Sequence, residues 1–218
     1  MAISELDDAI KSSFPVLPAP CDGTPDEPPT YGIRFIVARS GLMRELTTPW
    51  LKVVRRVAAM QPTGHGEAHS TPYGELQESV RMTCNDPPLS VWSEFMAHAR
   101  EQFPNEAAGL VLWNQVSRTW RLALRQATFV SPSRIDYVEP AQDDDEIAVI
   151  DVHSHGRHQA GFSVRDDRDD QGGIKIAVVF GRVDTQRPEV AARLICLDHM
   201  VALRMTASGG FEVKEDQS

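Results

Sequence analysis

The amino-acid sequence predicts an α+β fold for most of the chain, preceded by a small β-rich unit. One amphipathic segment, residues 90 to 103, places its apolar residues at helical spacing. Several shorter segments follow it that are either apolar throughout or alternate between apolar and polar residues, which is typical of strands. A helix followed by many strands and few further helices indicates the α+β class.

The N-terminal part divides into a proline-rich segment and the β-rich unit. Residues 15 to 30 contain six prolines, which disfavour an interior helix or strand, so we predict a flexible, extended segment over residues 1 to 29. β-Branched and apolar residues then favour strands. The predicted strands are 31 to 39, 50 to 57 and 75 to 82. They define a small domain, 30 to 85, in which we find no catalytic motif.

The second predicted domain covers residues 86 to 212 and begins with the helix. Pro87 and Pro88 mark its boundary, and Ser90 is the predicted N-cap. The apolar face of the helix is expected to pack into the core. The strands predicted after it are 107 to 113, 119 to 125, 147 to 152, 174 to 181, and one or two within 190 to 206. Residues 213 to 218 form a predicted disordered tail.

Composition excludes several classes of function. The chain has 218 residues, of which 41% are hydrophobic and 24% charged, as in soluble globular proteins. Its net charge of −9 disfavours nucleic-acid binding. The three cysteines form no CxxC pair, which indicates reduced thiols. Because we find neither a signal peptide nor a membrane-length apolar segment, we expect a cytoplasmic protein with no nucleic-acid or membrane partner.

Residues 153 to 166, HSHGRHQAGFSVRD, contain the residue types of a metal site. Residues two apart in a strand point to the same side, so His153 and His155 can bind one cation. Asp166, which follows a glycine-containing loop, can supply a third ligand. This set leaves a zinc ion one position for water. Zinc can lower the pKa of that water to about 7, which gives a hydroxide that attacks a carbonyl at neutral pH. The sequence therefore predicts a hydrolytic site with one Zn²⁺ per chain.

Two further residues could complete the chemistry. Glu106 precedes the buried segment that begins at Ala107, where a charged side chain requires a reason. It is either the general acid and base of the reaction or an ordinary surface glutamate at the end of the helix. Ser163 precedes Asp166 by three residues and could donate a hydrogen bond to the oxyanion of a tetrahedral intermediate.

The order and spacing of these residues resemble the signature of the JAMM (MPN+, JAB-domain) zinc metalloproteases. The residues that carry the resemblance are Glu106, His153, Ser154, His155, Ser163 and Asp166. The resemblance implies that His153, His155 and Asp166 bind zinc, that Glu106 is the general acid and base, and that Ser163 supports the oxyanion. It also implies a curved mixed β-sheet flanked by helices, as in cytidine deaminases. Members hydrolyse isopeptide or peptide bonds, often at the C-terminus of ubiquitin or a ubiquitin-like protein.

The layout of the whole chain is similar to that of the PRTRC system protein A family. These are bacterial proteins encoded in a mobile cassette with a ThiF-like adenylating enzyme and a ParB-like protein. The resemblance implies a substrate conjugated to a ubiquitin-like or sulfur-carrier-like protein, and a ThiF-like adenylating enzyme as a partner system.

Several alternatives remain at this stage. The JAMM family usually has proline after the second histidine, whereas this chain has Gly156, which we expect to loosen the loop without removing a ligand. Asp167 is the fallback for the third ligand. His158 is either solvent-facing or a fourth ligand that would close the site and make it structural. His65 and His69 lie in a predicted loop, where solvent exposure is favoured over metal binding. The alternative function is a non-catalytic MPN-type scaffold with a structural zinc site.

Overall fold

The computed structural model contains two compact units, Met1–Thr83 and Cys84–Ser218. The residues that it describes are 8–9, 12–28, 30–59, 71–131 and 134–214. His65, His69 and most of the predicted tail lie outside these residues. Among the described residues, no helix combines the length and the apolar character that crossing a bilayer requires.

The described part of the N-terminal unit forms a five-stranded sheet whose spatial order follows the chain. Its strands are β1 (Val16–Pro18), β2 (Gly32–Ala38), β3 (Gly41–Thr47), β4 (Leu51–Ala59) and β5 (Ser79–Met82). β1 pairs in parallel with β2, while the other pairs are antiparallel. Ile36, Met43 and Val54 are buried in one apolar cluster, so alternating residues of the central strands form the core.

Two features of this unit differ from the prediction. The proline-rich segment, predicted as an extended connector, contributes β1 at the edge of the sheet. Proline is tolerated there because an edge strand does not need every N–H for pairing. The sequence also gave no indication of β3, since Leu, Met, Arg and Glu favour helices on intrinsic propensity. Pairing with strands on both sides overrides that preference.

The described part of the C-terminal unit is built on a seven-stranded mixed sheet. In spatial order its strands are β14 (Phe211–Val213), β13 (His199–Met205), β12 (Glu189–Cys196), β11 (Ile174–Gly181), β10 (Glu146–Ser154), β6 (Ala108–Asn114) and β7 (Thr119–Leu124). β10 and β11 are parallel, and the other neighbours are antiparallel. A separate hairpin, which was not predicted, consists of β8 (Gln126–Ser131) and β9 (Arg134–Val138). The predicted α+β class and the β-rich N-terminal unit are confirmed.

Helix α1 (Leu89–Gln102) supplies the apolar layer on one face of this sheet. The rings of Trp92 and Phe95 lie 6.1 and 5.6 Å from the ring of Phe180 in β11. The prediction that Ser90 caps this helix was wrong, because Pro88 occupies the N-cap and no side chain caps the helix. The fixed φ of proline, here −69°, is compatible with the extended backbone of the N-cap residue, and its missing N–H removes no hydrogen bond from the helix.

The alternation of residues in β10 decides where the histidines lie. Ser154 is the register partner of Phe180, so it faces the α1 side of the sheet. His153, one residue earlier, therefore faces the opposite side, as do its register partners Ala108 and Val179. The residues predicted to bind metal therefore lie on the face of the sheet opposite α1.

Candidate metal centre

The structure brings His153, His155 and Asp166 together. The two histidines lie at the end of β10, and Asp166 lies in helix α2 (Val164–Asp169). His153 Nε2 is 3.1 Å from His155 Nε2 and 3.6 Å from Asp166 Oδ1. One ligand atom from each residue lies within 4.8 Å of the other two. Within the described ranges, this is the one such group of His, Cys, Asp or Glu side chains.

The distances from His153 to the other two donors fit a zinc ion. Zinc binds nitrogen and carboxylate oxygen at about 2.0–2.2 Å, which places tetrahedral ligands about 3.3 Å from one another. The observed separations of 3.1 and 3.6 Å bracket that value. Two imidazoles and one carboxylate also match the ligand types of catalytic zinc sites, which keep one position for water.

Helix α2 fixes the position of Asp166. Ser163 is its N-cap: the Asp166 N–H donates to Ser163 Oγ at 3.2 Å, and the Ser163 N–H donates to Asp166 Oδ2 at 2.6 Å. This reciprocal pair is a capping box, here with aspartate in the position usually taken by glutamate. This helix was not predicted: Asp166 was only expected to follow a glycine-containing loop, although the pattern Ser-x-x-Asp was the available signal.

The protonation of the donors suits a cation. Burial lowers the pKa of His153, against the opposing charge of Asp166, so the imidazole is held in its neutral, metal-binding form. Burial acts to raise the pKa of Asp166, but the hydrogen bonds from Ser163 outweigh it and hold that pKa below its ordinary value. The carboxylate therefore stays ionised and can bind a cation at neutral pH.

Glu106 is buried beside this cluster, with 9% of its surface exposed. Burial, together with the charge of Asp166, raises its pKa to about 7, while Arg165 acts in the opposite direction. A carboxyl group with that pKa can both accept and donate a proton near neutral pH. The burial of Glu106 is unlike that of an ordinary surface glutamate.

A cleft of about 620 Å³ opens over the cluster. Its lining includes Glu106, His153, His155, His158, Ser163 and Asp166. His158 is exposed at the cleft, and it is absent from the described group of metal-binding donors. Asp167 is also absent from that group, and its carboxylate instead pairs with Arg193 at 2.5 Å.

Comparison with known proteins divides the chain at the same place as the structure. A family model described as prokaryotic homologs of the JAB domain matches residues 88–195. Residues 88–195 belong to the JAB-domain family. A second model, described as a domain of unknown function (DUF2016), matches residues 4–83.

Comparison with individual proteins adds little to the two family matches. Among solved structures, the solution structure of a protein from Desulfitobacterium hafniense is 18% identical, covers 59% of this chain and 88% of its own, and has a TM-score of 0.40. No curated protein matches the chain.

Gly156 follows the second histidine of this JAB domain for a steric reason. Its φ is +53°, a backbone conformation that proline cannot adopt. A Cβ atom at this position would lie 2.7 Å from the Pro104 carbonyl oxygen. The Gly156 carbonyl also accepts a hydrogen bond from the Val183 N–H at 3.0 Å. The expectation of a loosened loop was therefore wrong, because the glycine fits a buried and closely packed turn.

A chain of ion pairs lies on the same face of the JAB domain as the histidines. In spatial order it contains Glu139, Arg125, Asp151, Lys175, Asp170 and Arg193. None of them had a predicted role. Apart from Lys175 and Asp170, the paired residues are far apart along the chain, so neither spacing nor periodicity could have indicated the network.

Proposed function

We propose that the C-terminal unit is a zinc-dependent hydrolase that cleaves isopeptide or peptide bonds. The observation that carries the proposal is a buried glutamate, Glu106, in the same cleft as three clustered donors. Three protein ligands leave a tetrahedral zinc ion with one position for water, whereas a structural site uses four. The exposure of the cluster to a cleft of about 620 Å³ supports access by a substrate.

Five residues of the cleft have a role in this mechanism. Zinc, when bound by His153, His155 and Asp166, supplies Lewis acidity that lowers the pKa of water to about 7 and polarises a carbonyl. Glu106 accepts the proton of the attacking water and then donates it to the leaving amine. Ser163 lines the same cleft, and its O–H is the proposed donor to the oxyanion.

The proposed substrate is a protein conjugated to the C-terminus of a ubiquitin-like or sulfur-carrier-like protein. This part of the proposal rests on the resemblance of the motif to that of the JAMM enzymes. A ThiF-like adenylating enzyme is the proposed partner, because such an enzyme activates the type of C-terminus that this hydrolase would release.

Zinc content and turnover, measured together, test the proposal. The full chain, loaded with zinc, is incubated with a ubiquitin-like protein carrying a C-terminal fluorogenic amide, with and without a chelator. We expect Glu106→Gln to keep its zinc and lose about 100-fold or more in turnover, since general acid–base catalysis contributes about 10²–10⁴. His153→Ala should lose both zinc and turnover.

The matched control is Glu101→Gln, because Glu101 is an exposed glutamate on α1, outside the residues that line the cleft. Full turnover in Glu106→Gln would rule out its role as acid and base. A zinc-loaded protein that does not cleave the fluorogenic amide, and whose zinc resists the chelator, would favour the scaffold with a structural zinc site instead.

A further inference from the structure

Helix α2 carries Asp166 but has no apolar anchor of its own. It is six residues long, and none of its residues is buried. Helices this short are unstable by themselves in water, because too few hydrogen bonds offset the cost of nucleation. The capping box of Ser163 fixes the first turn internally and does not attach it to the sheet. Contacts from the sheet must therefore hold the helix in place.

Arg193 provides such contacts before, within and after the helix. It lies on β12, and only 8% of its surface is exposed. Its guanidinium carbon lies 3.8 Å from the centre of the Phe162 ring, immediately before the N-cap. Its Nη1 donates to Asp167 Oδ1 at 2.5 Å. Its Nη2 and Nε both donate to Asp170 Oδ2, at 2.6 and 3.1 Å. One side chain therefore contacts α2 near both of its ends and in its middle.

Lys175 connects Asp170, at the end of α2, to the strand that carries the histidines. Its Nζ lies 2.8 Å from Asp170 Oδ1 and 2.9 Å from Asp151 Oδ2. Asp151 precedes His153 by two residues on β10, on the same side of that strand. Both oxygens of the buried Asp170 carboxylate are thus paired, and removing a partner from a buried charge is costly.

We propose that Arg193 is a positioning residue that holds Asp166 and Ser163 at a fixed distance from His153 and His155. The inference rests on the proposed zinc site, because Asp166 is the ligand being positioned. The planar fork of arginine is required, since it pairs with two carboxylates while stacking on an aromatic ring. Lysine has the same charge but cannot make both contacts at once.

The test compares Arg193→Met with Arg204→Met in the full chain. Arg204 is an arginine on the neighbouring strand β13, and it makes an exposed ion pair with Glu212 at 2.5 Å, outside the cleft lining. The first readout is Co²⁺ binding, followed by visible absorption. We expect Arg193→Met to weaken it about 10- to 100-fold, as is usual when a group that orients a metal ligand is removed. Arg204→Met should bind Co²⁺ as the wild type does.

The second readout is amide hydrogen exchange in the metal-free protein. The Asp167 and Asp170 N–H groups donate to Ser163 and Asp166 carbonyls within α2, at 3.0 and 2.9 Å. Their exchange should accelerate in Arg193→Met and stay unchanged in Arg204→Met, because a helix without its anchor opens more often. This readout reports how strongly Arg193 stabilises α2, whether or not a metal binds.

Arg193→Lys keeps the charge and guards against loss of the fold. We expect a smaller change in the same direction, several-fold in Co²⁺ affinity. Wild-type Co²⁺ affinity and wild-type exchange in the folded Arg193 variants would overturn the role of Arg193. A wild-type protein that binds no Co²⁺ would instead overturn the proposed zinc site, while faster exchange in Arg193→Met would still support the stabilisation of α2 by Arg193.

Discussion

Ser154 lies between the two histidines and points to the other side of β10. It is fully buried, and its Oγ accepts a hydrogen bond from the Ala107 N–H at 3.0 Å. Its own N–H donates to the Ala107 carbonyl at 2.9 Å. Ala107, which follows Glu106, thus makes two hydrogen bonds to Ser154, which lies between the two histidines. The serine of the motif aligns the proposed general base with the proposed metal site.

Ser154→Ala should therefore lower the free energy of unfolding by about 1–3 kcal/mol, because it leaves the buried Ala107 N–H without its side-chain partner. Urea denaturation measures the change. Ser93→Ala is the matched control, since the Ser93 hydroxyl donates to a carbonyl on the exposed surface of α1. Equal stabilities of the two variants would contradict the structural role of Ser154.

Gly156 gives a second prediction at the scale of one residue. Gly156→Pro introduces the residue that is usual in the JAMM family, yet it should destabilise the protein by about 3 kcal/mol or more, because proline cannot adopt a φ of +53°. Gly156→Ala should cost less, about 1–3 kcal/mol, from the left-handed backbone and the contact with Pro104. Thermal unfolding of both variants measures the order.

The control for this series is Gly161→Ala, because a Cβ at Gly161 would meet no atom within 4 Å. It lies in the same loop, between the histidines and α2. A Gly156→Pro variant as stable as the wild type would show that the turn does not require the left-handed conformation.

At the scale of elements, β7 and β10 are connected across β6 by one ion pair. Arg121 on β7 donates from Nε and Nη2 to the two carboxylate oxygens of Glu146, each at 2.5 Å. Glu146 begins the strand that ends with the histidine motif. These hydrogen bonds hold the pKa of Glu146 below its ordinary value, against the opposing effect of burial. The pair therefore stabilises the fold when Glu146 is ionised.

Glu146→Gln should lower the free energy of unfolding by about 1 kcal/mol at pH 7, at the low end for charged hydrogen bonds because Arg121 is partly exposed. Since the folded pKa is depressed, the stabilisation is present above the unfolded pKa of about 4.3 and is lost as the pH falls through the folded pKa. The difference between wild type and variant should thus begin to shrink as the pH falls below about 4.3 and should vanish only below the folded pKa.

Denaturation at a series of pH values tests this expectation. Glu212→Gln is the control, because Glu212 makes a similarly short but exposed ion pair with Arg204. Its effect should stay within about 0.5 kcal/mol at any pH. A Glu146→Gln difference that does not change between pH 7 and pH 3 would show that the charge of Glu146 is not the source of the stability.

The elements differ in how far their sequences predict them. The apolar run of β10 and the spacing of His153 and His155 were sufficient to predict the strand, because both signals are local. Neither the hairpin of β8 and β9 nor helix α2 was predicted. Both are short, and α2 is held by Arg193, which no pattern near Asp166 could reveal. The local part of the site was therefore predictable, and the contacts that position Asp166 were not.

At the scale of the whole molecule, the two units have separate cores. The buried cluster of Ile36, Met43 and Val54 belongs to the N-terminal sheet. In the C-terminal unit, Phe95 and Phe180 pack between α1 and the seven-stranded sheet. The two family models also match one unit each, residues 4–83 and 88–195. Each unit therefore contains the apolar layers that a domain needs.

We accordingly expect a fragment of residues 84–218 to fold alone. It contains α1, the complete mixed sheet and all the residues of the candidate metal centre. It should unfold in one cooperative transition and bind about one zinc ion per chain, because its core and its ligands are all encoded within it. Calorimetry and metal analysis of the fragment and the full chain make the comparison, with His153→Ala in the fragment as the control for nonspecific zinc. A fragment that lacks a cooperative transition, or that binds zinc only when the N-terminal unit is present, would show that residues 1–83 are needed to form the site.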